Sequence, residues 1–164
     1  MKDQRGQAIV LIAIMLAVVV GMAALAVDGS RAYALRRDLQ AAADAAALAA
    51  GDTFQQTRSY TAAETAATTS FGTNIRLYAS PSCTPGYGSP GGVPRTITCT
   101  YTDGTVLTQV VAALGPAGTQ FTISASRALV LQFARILTNG TSPRLSASAG
   151  SNPRPGRVAP SLAR

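Results

Sequence analysis

The chain has 164 residues, enough for one modest domain with extensions, and carries 14 Lys and Arg against 7 Asp and Glu, a net charge of +7. It has no His and no Trp, and Lys2 is its only lysine. These absences exclude a Ser–His–Asp or Cys–His centre, leave a Ser–Lys dyad only a residue near the N-terminus, and disfavour a general base tuned near neutral pH. The acids are scattered, so neither paired-carboxylate chemistry nor a metal cage is indicated; no catalytic, cofactor-binding or metal-binding residue is assigned.

Gln7–Val27 (QAIVLIAIMLAVVVGMAALAV) contains no charged residue. At about 1.5 Å per residue it makes a helix of roughly 30 Å, the depth of a bilayer core. Two readings of this segment stand. Lys2 and Arg5 ahead of it, with Ala24-Leu25-Ala26 near its end, resemble a secretory signal cleaved after Ala26. The run exceeds a usual signal h-region, however, and the helical pattern continues past Val27, which favours a permanent anchor in the lipid bilayer. Flanking charge barely orients it, because Arg31, Arg36 and Arg37 follow the span.

Residues 28–50 contain no proline and are rich in Ala, the best helix former. The spacing predicts that the membrane helix runs on as a rod of about 40 residues in all, roughly 60 Å long. A heptad laid across it places Ala32, Leu35, Leu39, Ala42, Ala46 and Ala49 on one seam, narrow enough for a partner helix to approach closely. The alternative is that Ala is so frequent that any register looks apolar. Gly51-Asp52 is expected to end the rod, and Thr61–Thr69 to form a second helix stopped at Gly72. The segment 80–94 has four Pro and four Gly in 15 residues and is read as a loop without regular structure.

Beyond it, Ile97, Cys99 and Tyr101 alternate with threonines, and Asp103-Gly104 signals a two-residue hairpin. That turn would pair Val106 with Tyr101, Thr108 with Cys99 and Val110 with Ile97. Phe121, Ile123 and Ala125 make a third strand, and Leu145, Ala147 and Ala149 a last one. Leu129, Val130, Phe133, Ile136 and Leu137 share one face of an expected helix, capped by Asn139-Gly140. The expected class is α+β: an N-terminal transmembrane helix continuing as a long Ala-rich helix, followed by a small antiparallel-sheet-plus-helix domain. The divisions are a tail at 1–6, the transmembrane helix at 7–27, the rod at 28–50, a second helix and loop at 51–94, the α+β domain at 95–149 and a disordered basic tail at 150–164.

Cys83 and Cys99 form an even pair in a small exported domain, which suggests a disulfide closing a loop of about 15 residues and contributing roughly 3 kcal/mol. Two free thiols are the alternative. A disulfide places the C-terminal domain outside the cytoplasm. After Asp103 the only charged residues are arginines: Arg127, Arg135, Arg144, Arg154, Arg157 and Arg164. They offer Coulomb attraction to anionic envelope polymers, and no motif directs them to a specific nucleic acid.

The first fifty residues resemble the TadE/TadG-like family of the tight-adherence (Flp) pilus system. The carrying residues are Arg5-Gly6-Gln7-Ala8, the apolar span, Leu25-Ala26-Val27-Asp28, Tyr33, Arg36-Arg37, Leu39-Gln40 and the run Ala42–Ala50. Phe133–Leu137 and Leu145–Ala149 are similar to the family's distal part. The resemblance implies an anchor in the bacterial inner membrane with a cytoplasmic N-terminus, an exported C-terminal domain, and a minor pilin-like or assembly role among other pilus or secretion subunits. Pilin-like members are cut after a Gly and carry a Glu five residues into the mature chain. If Gly6 were that Gly, position 11 is Leu11, which puts the chain on the TadG-like, uncleaved side. The rival function is a secreted module, released after Ala26, that binds anionic envelope polymers.

Overall fold

The computed structural model describes residues 5–77, 80–86, 93–114, 118–133 and 141–153. The chain divides into two compact units, 1–35 with 129–143 and 36–128 with 144–164. Helix α1, Arg5–Thr57, contributes to both. The apolar run and the Ala-rich segment are thus one α-helix, as the unbroken run of helix formers predicts.

In the first unit, the residues of α1 from Ala8 to Val27 are exposed almost throughout, and none of its most apolar window is buried. Leu129–Phe133 is irregular rather than helical, which corrects the expected start of a helix there; the remainder of that helix and its Asn139-Gly140 cap lie outside the described residues. The Asp28 carboxylate accepts the N–H groups of Gln132 at 3.0 Å and Phe133 at 3.1 Å.

In the second unit, α1 continues through Gly51-Asp52 to Thr57, beyond the expected stop. Gly51 is needed for close approach rather than for termination: a Cβ there would stand 2.9 Å from Ser151 Oγ. The reversal comes at Arg58, in the left-handed region at φ 56°, whose N–H donates to Phe54 O at 2.9 Å. Ser59 then caps α2, Tyr60–Asn74, its side chain accepting from Ala62 N. Gly72 lies inside α2, not after it. A Cβ at this position would meet Leu77 O at 3.0 Å and the Tyr101 ring at 3.5 Å.

Five antiparallel strands are described in the order β1 (Ser82–Pro85), β2 (Arg95–Thr100), β3 (Val106–Leu114), β4 (Gly118–Ala128) and β5 (Arg144–Ser151). β1 falls within the stretch read as structureless. Proline is tolerated at its end because it is a short edge strand. Cys83 stands directly opposite Cys99 and is disulfide-bonded to it, with the Cα atoms 4.0 Å apart. The bond ties this four-residue edge to the sheet, closing a loop whose ends are 16 residues apart and contributing about 3 kcal/mol.

The β2–β3 register is one residue away from the expected one. Thr100 pairs with Val106, Cys99 with Leu107 and Ile97 with Gln109. The turn holds three residues instead of two. Tyr101 N donates to Thr105 O, Gly104 sits at φ 79°, and Asp103 accepts from both the backbone N–H and the hydroxyl of Thr105. A shift of one residue exchanges the faces of the whole partner strand. Leu107, Gln109 and Val111 therefore face the core in place of Val106, Thr108 and Val110.

Three cross-strand rows build the inner face: Cys99, Leu107, Ala125 and Ala147; Ile97, Gln109, Ile123 and Ala149; Arg95, Val111, Phe121 and Ser151. The other face is lined largely by Thr and Ser. β4 and β5 match the expected alternation, and β5 extends to Ser151, one residue past the expected start of the tail; residues 154–164 lie outside the described residues.

The second half of α1 buries Leu39, Ala42, Ala43, Ala46, Ala47, Ala50 and Phe54. The 3.6-residue period makes this a face two residues wide, not a heptad seam. It meets its own sheet. Gln40 donates to Ser148 O at 3.0 Å, and the Phe54 ring lies 5.4 Å from that of Phe121. Methyl-sized side chains allow this close approach. Ala43→Leu is expected to overpack the contact and destabilise the fold by about 1–3 kcal/mol, whereas Ala41→Leu, on the exposed side, should stay within about 0.5 kcal/mol. Denaturant midpoints of the two variants check this, and equal midpoints would refute the assigned face.

Candidate functional site

The residues singled out from sequence separate into three places. Along the seam, Leu39, Ala42 and Ala46 are buried within this chain, Ala49 is half-buried, and Ala32 and Leu35 are half-buried in the other unit. Ala43 and Ala47, which the heptad puts off the seam, are as buried as Ala42 and Ala46. The middle of the seam is thus buried within this chain. The two candidate cleavage points, Gly6 and Ala26, both lie within α1.

α2 is held to the sheet by a buried polar cluster that the sequence reading missed. Arg95 Nη2 donates to Glu64 Oε2 at 2.8 Å, and its Nε lies 2.7 Å from Oε1. The Arg95 guanidinium also sits 5.8 Å from the centre of the Tyr60 ring. Gln109 donates to Thr68 Oγ1 at 2.7 Å and to Glu64 O at 3.2 Å. Burial pushes the Glu64 carboxyl above its ordinary range, and the neighbouring Arg95 charge draws it back only in part. A lone Glu in a helix gave little signal of its partner. Arg95 at the head of an alternating strand, on the same parity as Ile97 and Cys99, was the available clue.

Beside this cluster, a cleft of about 290 Å³ opens between α2 and β1–β2, lined by Thr61, Thr65, Thr69, Ile97 and the disulfide. Its hydroxyls are helix threonines, and those of Thr65 and Thr68 donate to the carbonyls of Thr61 and Glu64. No group of three or more Cys, Asp or Glu among the described residues is placed to hold a metal ion.

Of the C-terminal arginines, Arg127 pairs with Asp103 at 3.0 Å, and Arg144 donates to Gly104 O at 3.3 Å. Both brace the β2–β3 turn. Arg135, Arg154, Arg157 and Arg164 lie outside the described residues.

The described residues of α1 also present an outward-facing apolar stretch. Ile9, Leu11, Ile14, Val18 and Leu25 are each more than half exposed. A stretch of this length and composition fits a membrane span. Among the described residues, this is the one helix long and apolar enough to cross a membrane.

Tyr101 locks the base of the β2–β3 turn to α2. Its hydroxyl donates to Thr68 O at 3.0 Å, and its ring lies 5.8 Å from that of Phe71. Burial first, and the Asp103 charge second, push the phenol from 10.0 up to about 12. The folded state therefore holds this proton more tightly than the unfolded chain. The stabilisation is fully present below pH 10 and is lost as pH rises towards about 12. Tyr101→Phe should cost about 1 kcal/mol at neutral pH and flatten this alkaline loss. Denaturation midpoints measured across that range would show the same slope in both proteins if the account were wrong.

Comparison with known proteins adds one match. No curated protein and no solved structure matches the chain. The Tad family model, described as Flp pilus-assembly TadE/G-like, matches residues 6–68, taking in the exposed apolar stretch, the Ala-rich face and α2 as far as Thr68, and ending before the sheet. Over these residues the chain is similar to the Flp pilus-assembly TadE/G-like family.

Proposed function

We propose that this chain is a non-enzymatic, single-pass component of pilus assembly, anchored in the bacterial inner membrane through residues 7–27. Its N-terminus faces the cytoplasm, and its disulfide-bonded α+β unit lies outside. The observation that carries this reading is the uncharged, outward-facing run on α1, inside the family match, on the same helix that packs the folded unit. The Cys83–Cys99 bond supports the external placement, since disulfides persist in oxidising compartments. The partners are other pilus-assembly subunits. They meet surfaces other than Leu39, Ala42 and Ala46, which this chain covers itself.

The role is mechanical: the helix fixes the chain in the bilayer, and the folded unit docks. Val18 lies near the middle of the run, where a charge costs about 2.5–3.5 kcal/mol of insertion free energy. Val18→Arg should shift the protein from the carbonate-resistant membrane pellet into the soluble fraction. The same variant should fail to restore pili to cells lacking the gene, which the unaltered chain restores. Carbonate release of the unaltered protein would refute the anchor, and normal piliation in the deletion strain would refute the assembly role.

A further inference from the structure

We propose that Leu129–Phe133 is a second membrane contact, with Val130 and Phe133 entering the lipid interface beside the end of the apolar span. The proposal rests on the reading of 7–27 as a transmembrane helix.

Asp28 is the first ionisable residue after the uncharged run. It is only 4% exposed, and its two carboxylate oxygens each accept one backbone N–H from the same short segment, Gln132 on Oδ1 and Phe133 on Oδ2. At about 1.5 Å of rise per residue, Asp28 stands within one residue's rise of Val27. Its bonds therefore hold Phe133 at the level where the hydrocarbon core gives way to head groups. A carboxylate at that depth is costly unless its oxygens are satisfied, and the two peptide N–H groups contribute to satisfying them.

The segment's backbone is pinned at its base too, where Leu129 N donates to Pro143 O at 2.8 Å. Leu129 turns inward, but Val130 is 63% and Phe133 48% exposed. Leu25 and Val27, three residues and one residue before Asp28 on the helix, are themselves 71% and 42% exposed. Apolar side chains of this kind bury into the boundary between head groups and acyl chains, as they do on interfacial helices. Lipid is the occupant that covers both surfaces at once. A single helix is free to slide and rotate in a membrane, and a second contact tied to its boundary residue sets its depth and facing.

The chain has no Trp, so Phe133→Trp introduces a lone fluorescent reporter into the full-length protein. The variant is reconstituted in phosphatidylcholine vesicles containing lipids brominated either near the head or near the end of the acyl chain. Ile14→Trp and Leu48→Trp serve as mid-span and extramembrane references. The proposal predicts that the Phe133→Trp reporter is quenched, more by the shallow bromines than by the deep ones. The Ile14→Trp reporter should be quenched most by the deep bromines, and the Leu48→Trp reporter by neither. Val130→Trp should repeat the shallow pattern, and adding Asp28→Ala should remove most of it. Quenching at Ile14 with none at Phe133 or Val130 would overturn the proposal and leave the anchor standing. Absence of quenching at Ile14 would overturn the anchor and the proposal together. Full quenching at Phe133 in the Asp28→Ala background would overturn the role given to Asp28.

Discussion

The structure depends on one helix meeting two environments. From Ala8 to Val27 the side chains of α1 are apolar on every side and exposed. From Leu39 to Phe54 only one face is buried, and Arg36, Arg37, Asp38 and Asp44 lie on the outside. The hydrophobic effect favours an apolar surround for the first stretch and a one-sided cover for the second. The sheet supplies that cover, and alanines let it come close. A bulkier face would push α1 away from Ser148 and Phe121 and weaken every contact that places the folded unit on the helix.

α2 is held differently. Its apolar face is narrow (Ala63, Ala67 and Phe71), so polar groups fix it. The buried Arg95–Glu64 pair is weak evidence for stability, because desolvation offsets most of the attraction. It gives position: with Gln109 and Tyr101 it allows α2 one placement against β2 and β3. Losing one partner would leave the other as a buried, uncompensated charge, typically worth about 3–5 kcal/mol. The disulfide secures the outermost strand, which has no buried side chain of its own.

Much of this was legible in the sequence. The uncharged run, the Ala-rich continuation, the alternation in β2 and β4, and the even cysteine pair each have a direct physical signature. What failed depended on contacts distant in the chain. Gly51 and Gly72 read as helix stops, yet each makes room for a neighbour, Ser151 in one case and Tyr101 with Leu77 in the other. Asp103-Gly104 signalled a hairpin correctly but not its loop length, because Thr105 closes the turn through Asp103. The heptad was undecided for a compositional reason: with alanine at most positions, the pattern cannot choose between a partner helix and the chain's own fold. β1 was hidden by its prolines and glycines, and its pairing is visible only once Cys83 is set opposite Cys99.

We infer that α1 changes its surroundings along its length, from lipid on all sides to its own sheet on one. Single spin labels stepped along α1 from Ile9 to Phe54 in the reconstituted full-length protein measure this directly through their accessibility to oxygen and to a polar relaxant. High oxygen and low polar access are expected at every position up to Val27. From Leu39 a 3.6-residue oscillation is expected, with minima at Ala42, Ala43, Ala46, Ala47 and Ala50. A 3.6-residue oscillation already present between Ile9 and Leu25, or uniform polar access from Leu39 onward, would contradict this inference.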